Sequence, residues 1–266
     1  MDIKNIAKHK LHMLMTVCFL MLPAQQALAS ATGASGKGFP DSSTYAGVDA
    51  GLISEMTKST YGFQENNGKN AYSKNPLLYG VFLGHKFNDR FGFEVAYETQ
   101  QKKNKTVQLE AGDTIPGAAP GTFSTLTAGE WFQYKTTNKT QHFQAALHIT
   151  LHEFDKKENI NIWAQIGGSY SQLRAEQVAL AGVDGGAVVA ADDLANMRRT
   201  FKQWKLIPMA KLGVHYNWTS RIGLRATIGW RELSLLKPKS KEAPTASTQI
   251  KLKDGFNCGV GFYFKL

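Results

Sequence analysis

The chain is short of the features that mark several large protein classes. It holds two cysteines in 266 residues, Cys18 and Cys258, too few for a disulfide framework or a thiolate metal cluster. Beyond its first residues it has no apolar run near the roughly 20 residues that a membrane-spanning helix requires. No pair of histidines or carboxylates has metal-ligand spacing within a long connection, so neither a metal nor another cofactor is expected. Acidic residues are outnumbered, 21 against 31 basic ones, and that excess favours an anionic partner.

What is present begins with an export signal. Lys4, Lys8 and Lys10 precede the apolar run Leu11 to Leu22, then Pro23 and the small-x-small site Ala27-Leu28-Ala29. This order describes a secretory signal peptide over residues 1–29, cut after Ala29. Cys18 leaves with it, and Cys258 shares parity with apolar residues, as a small lipid-facing or packed side chain would. Removing Lys4, Lys8, Lys10 and the acid Asp2 leaves a basic excess of eight. An exported chain makes nucleic acid a poor partner, and lipopolysaccharide phosphates or acidic host polymers better ones.

A Gly-, Ser- and Ala-rich leader occupies residues 30–43. From residue 44 to 266 the pattern is alternation with a period of two, which places alternate side chains on opposite faces of a strand. Tyr79, Val81, Leu83, His85 and Phe87 share one parity. The tight turn Asn88-Asp89-Arg90 follows, and Phe91, Phe93, Val95 and Tyr97 resume the pattern. Strands are expected at Thr44 to Ser54, through this hairpin, from near Gln141 to Leu151, from Ile160 to Ile166, from about Gln203 to Asn217, from Ile222 to Trp230 and from Phe256 to Leu266. The stretch from about Ala175 to Thr200, with Gly185-Gly186 inside it, is taken as a long loop that extends the flanking strands or folds into the barrel mouth, with room for a short helix at Asp192 to Arg198. That makes eight strands with alternately long and short connections. The fold class expected is all-β: an eight-stranded antiparallel up-and-down transmembrane β-barrel with four long extracellular loops and three short periplasmic turns.

A soluble exported barrel alternates as well, with its apolar parity turned inward. Three features favour the membrane. The polar parity is crowded with Gly and holds Asp49, Glu94, His215 and Arg225. Aromatics (Tyr79, Phe87, Phe91, Tyr97, Tyr216, Trp230) gather near strand ends, where amphipathic rings suit the water–lipid boundary. The chain closes on an apolar-aromatic strand like the C-terminal signal read by the outer-membrane barrel-assembly machinery, although it stops at Leu266 rather than at an aromatic.

Over Leu78 to Glu98, the Gly-rich strand, the Asn-containing turn and Gly92, Phe93, Glu94 and Tyr97 resemble the transmembrane domain of the OmpA-like eight-stranded family. Ile166-Gly167-Gly168 and Val214-His215-Tyr216 fit more loosely, and no length remains for a peptidoglycan-binding domain after the last strand. The resemblance implies the bacterial outer membrane and a lumenal ion-pair network that closes the pore. Glu94 takes its acidic role and Arg225 its basic one, joined by Asp49 and by His215, which would make the network pH-sensitive.

Enzymatic barrels exist, but His215-Tyr216-Asn217 lacks the serine of the deacylase pattern, and no enzyme is expected. Function is therefore placed on the outer connections. There Lys237, Lys239 and Lys241, together with Lys102, Lys103 and Lys105, are the candidate contacts to lipopolysaccharide or another anionic ligand. The expected role is a monomeric, envelope-structural and surface-interaction protein, adhesion included, with outer-membrane lipid and host or envelope ligands as partners. The alternative is a narrow porin-like channel gated by Glu94 and Arg225, and the third choice a lipid A-modifying enzyme.

Overall fold

The computed structural model describes residues 43–54, 57–59, 77–116, 123–153, 160–219, 221–241, 250–252 and 255–266. The expected signal peptide and most of the leader lie outside the described residues. Eight long strands form the body: β1 (Ser43–Ser54), β2 (Leu77–Lys86), β3 (Phe91–Gln100), β4 (Trp131–Glu153), β5 (Ile160–Asp184), β6 (Arg199–Asn217), β7 (Ile222–Arg231) and β8 (Gly255–Lys265). Each pairs antiparallel with its neighbours in sequence. β1 pairs also with β8, Tyr45 opposite Lys265 and Ser54 opposite Phe256. The pairings thus run round a ring, which removes free edges within the barrel.

Short-range polar chemistry makes two of the three tight connections. Asn88 Oδ1 accepts the N–H groups of Arg90 and Phe91 at 2.9 and 2.8 Å. Thr219 Oγ1 accepts those of Arg221 and Ile222 at 3.2 and 2.9 Å. Each side chain mimics a backbone turn and reverses the strand within four residues. The third connection, Asp155 to Asn159, lies outside the described residues.

The strands are very unequal. β4, β5 and β6 run for 23, 25 and 19 residues, while β2, β3 and β7 have 10 each. The sequence-based starts near Gln141 and Gln203 were therefore too late, and the stretch from Ala175 to Thr200 takes the first of its two expected courses, extending the flanking strand as far as Asp184. Its Gly185-Gly186 pair, at φ +57° and +82°, is the hairpin turn that folds Ala187–Val188 back on β5, a backbone that glycine adopts without steric cost. The short helix is present as α1 (Ala191–Asn196), starting one residue and ending two residues earlier than expected, with Asp192 and Asp193 in its first turn. Pro208 sits where β6 outgrows β7, whose last partner is Arg231 opposite Met209, so its missing N–H interrupts no ladder on that side.

Along β5 the environment of both faces changes at one height. Below it, Ile166 and Tyr170 point outward and are exposed, while Trp163, Gln165, Ser169 and Ser171 point inward and are buried. Above it the outward residues become Gln172, Arg174 and Glu176, and the inward ones Leu173 and Ala175, both buried. On β4 the outward face makes the same change, from Leu147 and Phe143 to Lys139 and Lys135, while the inward face stays polar through Thr140, Asn138 and Thr136 before it turns to Tyr134 and Phe132. An apolar exterior around a polar interior suits lipid; a polar exterior around an apolar interior suits water. The exchange marks the outer boundary of the apolar band.

Above that boundary the long connections build a folded head. Lys103–Leu109 pairs with the outer half of β4, Thr114–Pro116 with Phe123–Thr125, and Thr57–Ser59 with Ile250–Leu252. Val107, Leu109, Ile115, Ile250 and Leu252 of these segments join one apolar core that includes Phe132, Leu173, Phe201, Leu233 and Leu236.

Candidate functional site

The lumen is built from inward residues of all eight strands. Near its middle, Arg225 on β7 donates from Nε to Asp49 Oδ1 at 2.7 Å and from Nη1 to both Glu94 oxygens at 3.1 and 3.0 Å. A further bond joins Arg225 Nη2 to Asp49 Oδ2. Its guanidinium carbon lies 3.3 Å from the centroid of the Phe82 ring, a cation–π contact inside a water-poor space. The expected grouping of Glu94, Arg225 and Asp49 is therefore present in the geometry.

His215 does not join that ion pair. Although it faces Arg225 across the strand, Arg225 reaches toward the carboxylates, and His215 instead packs among rings. It lies 5.6 Å from His148, 5.1 Å from Trp163 and 4.8 Å from Tyr263. Gly213 leaves the space that the Trp163 indole occupies. Together with Tyr45, whose hydroxyl donates to Glu94 Oε2 at 3.1 Å, these rings fill the lumen toward the short turns.

A second ion cluster lies on the head side. Glu98 accepts from Lys211 Nζ at 2.6 Å and from Arg231 Nη2, and all three side chains are at most 4% exposed. Sequence reasoning passed over it, yet a signal existed. Glu98 stands four residues from Glu94 on the same face of β3, and Arg231 lies on the lumenal parity of β7. Three lumenal carboxylates, Asp49, Glu94 and Glu98, thus meet three cations, Lys211, Arg225 and Arg231. His142, above them, has Nδ1 2.8 Å from Ser171 Oγ and Nε2 3.2 Å from Thr140 Oγ1. A cavity of about 10 Å³ beside Asp49 and Glu98 has room for about one water molecule.

The outer candidates occupy the head and its base. Lys102, Lys237, Lys239 and Lys241 are exposed, and Lys105 is half-buried. Lys103 begins an accessory strand, opposite Asn138 of β4. Lys237 donates its backbone N–H to Gln203 Oε1 at 2.7 Å, and Lys241 donates its own to the Thr200 carbonyl at 2.9 Å. These bonds fasten the last long connection to the edge of β6. Cys258 is exposed on the lipid-facing side. Among the described residues no group of three or more His, Cys, Asp or Glu side chains could hold a metal ion.

At the top of the head, Glu130 ties two hairpin tips together. Its carboxylate accepts the N–H groups of Thr127 at 2.5 Å and Gly185 at 3.0 Å. Those backbone donors, Thr127 first, hold its carboxyl below the usual range.

The outward face at the boundary carries an aromatic layer. Tyr97 and Phe143 have ring centroids 4.8 Å apart, Phe143 and Trp204 6.0 Å, and Tyr170 and Trp204 stack at 5.0 Å. These rings span β3, β4, β5 and β6, where an interfacial belt belongs.

Three solved structures are similar to this chain at low sequence identity. One is Ail, the attachment invasion locus protein of Yersinia pestis, solved in complex with the heparin analogue sucrose octasulfate: 11% identity, 83% of this chain and 99% of that one, TM-score 0.36. Neisserial surface protein A shows 14% identity over 84% of this chain and 97% of its own, TM-score 0.40. OprG of Pseudomonas aeruginosa shows 12% identity over 86% and 98%, TM-score 0.43. No curated protein matches the sequence. The family model described as the OmpA-like transmembrane domain matches residues 40–242. The chain is thus a member of the OmpA-like transmembrane domain family, and its place is the bacterial outer membrane.

Proposed function

We propose that this barrel is non-enzymatic and non-conducting, and that it serves envelope structure and surface interaction, adhesion included, through the basic exterior of its head. The observation that carries this reading is the packing of the interior. Paired charges and stacked rings occupy the lumen, and the apolar core around Phe132 and Phe201, both fully buried, lies across the outer mouth. An eight-stranded barrel is just wide enough for such side chains to fill, which leaves a solute no path. The connections that would otherwise line a vestibule are spent on a folded platform.

Planar-bilayer recording of the refolded protein tests the closed interior: neither the wild type nor Glu94→Ala should show steady openings. Steady openings that change in Glu94→Ala would favour the gated channel instead. Cells displaying the protein should adhere to polyanion-coated surfaces, and Lys237→Gln, Lys239→Gln and Lys241→Gln together should weaken that adhesion. An unaltered lipid A mass on expression is the outcome expected of a barrel without lipid-modifying activity.

A further inference from the structure

The register of the outer sheet aligns cations that are far apart in sequence. Lys139 of β4 stands directly opposite Arg174 of β5, and Arg174 directly opposite Lys202 of β6. All three point outward, because Asn138, Thr140, Leu173, Ala175 and Phe201 beside them are buried. The row continues on both sides. Phe201 bridges antiparallel to Ser240, which sets the exposed Lys239 abreast of Lys202. Thr99 pairs with Gln141 and Lys103 with Asn138, so the exposed Lys102 falls level with Lys139. Among the described residues no carboxylate forms an ion pair with Lys139, Arg174 or Lys202. Glu176, next outward on β5, is engaged by Arg198.

Like charges placed directly opposite one another across strands destabilise a sheet, and three in succession call for a counter-charge from outside the chain. The position of the row identifies its source. Lys139 lies four residues beyond Phe143, and Arg174 four beyond Tyr170. At about 3.4 Å per residue and a strand tilt of about 35–45°, the row stands roughly 10 Å above the aromatic layer. It faces sideways, over the surrounding lipid, rather than outward from the cell. That is where the phosphates of outer-leaflet glycolipid lie, and Arg174 offers a planar fork suited to bidentate phosphate contact.

We infer that Lys139, Arg174 and Lys202, flanked by Lys102 and Lys239, form a docking row for the phosphates of lipid A in the surrounding outer leaflet. The row rests on the surface reading above but is separable from it. If lipid binding fails while bilayer recordings stay silent, the row alone is overturned.

The test uses the full refolded chain in zwitterionic micelles, titrated with bis-phosphorylated lipid A, phosphate-free lipid A, inorganic phosphate or heparin. Each cation held at an anionic lipid surface is worth roughly fivefold in affinity, so Lys139→Gln, Arg174→Gln and Lys202→Gln together should weaken lipid A binding by about a hundredfold. Phosphate-free lipid A should bind the wild type as weakly as lipid A binds this variant, and the charge-preserving pair Lys139→Arg and Lys202→Arg should keep the affinity. Without lipid, neutralising the row should raise the melting temperature, because repulsion is relieved; a merely structural role predicts a fall. Should the triple variant not show the gel shift of a folded barrel, Arg174→Gln alone serves, with about a fivefold loss expected. Unchanged lipid A binding in these variants, or equal binding of phosphate-free lipid, would overturn the inference. Loss of heparin or inorganic phosphate binding without loss of lipid A binding would overturn it too.

Discussion

Replacing Glu98 by alanine removes the carboxylate that Lys211 and Arg231 share. Both cations are at most 3% exposed in their side chains, and the Nε and Nη1 atoms of Arg231 have no hydrogen-bond partner among the described residues. Neither cation can therefore turn readily to another acceptor. Breaking a buried pair by deleting one partner costs about 3–5 kcal/mol, because the remaining charge stays desolvated. Two pairs are lost here, but they share one carboxylate, so their effects do not simply add; the loss is expected near the upper end of that range. Such a change is a large share of the roughly 5–15 kcal/mol that holds a typical domain together. Urea unfolding of protein refolded into lipid vesicles, followed through the tryptophans, measures it. Replacing the whole cluster, Glu98→Leu with Lys211→Met and Arg231→Leu, should instead lie close to the wild type, since apolar residues of similar volume remove the desolvation cost together with the attraction. The reasoning is refuted if Glu98→Ala stays within about 1 kcal/mol of the wild type, or if the triple replacement costs as much as the single one.

Two further predictions concern the outside of the molecule. Ile166→Lys, at a lipid-facing and 62% exposed position, should cost about 2–4 kcal/mol in vesicle unfolding if that site lies near the bilayer midplane, whereas Arg174→Leu, on the same face of the same strand above the boundary, should not lower barrel stability. The Glu130 carboxyl is held low in the folded state, so its tie between the hairpin tips is fully present above the unfolded value of about 4.3 and is lost as pH falls through the lower folded value. Hydrogen exchange at the Gly185 amide should accelerate below that point, and Glu130→Ala should abolish this pH dependence.

How much of this was legible in the sequence follows from the distance over which each feature is encoded. The strand count and the hairpin from Tyr79 to Tyr97 were open to reading because period-two alternation and the Asn88 turn are local signals. The Glu94–Arg225 pair was legible because parity and family resemblance both place those residues inward. The outer parts of β4 and β5 were missed for a physical reason: the apolar parity breaks off at Phe143 and changes sides at Tyr170, and either resembles the end of a strand. Glu98 and Arg231 look like solvated strand ends, and Lys211 like an isolated lumenal cation, until the ring of pairings brings them together. The row of Lys139, Arg174 and Lys202 is wholly a property of register, drawn from segments that had been assigned in part to loops.

The exchange of polarity along β5 has a consequence for how the strand finds its partners. In a barrel wholly within lipid, a slip of one residue exposes polar side chains to hydrocarbon, and that single cost holds the alignment. Here the same slip would turn Gln165 and Ser169 toward lipid and, in the same motion, push Leu173 and Ala175 into water while drawing Arg174 into the head's core. Two solvents then proofread one strand. The long β4–β5–β6 ribbon, which a uniform pattern would hold by one cost alone, is pinned a second time at the height where membrane gives way to water.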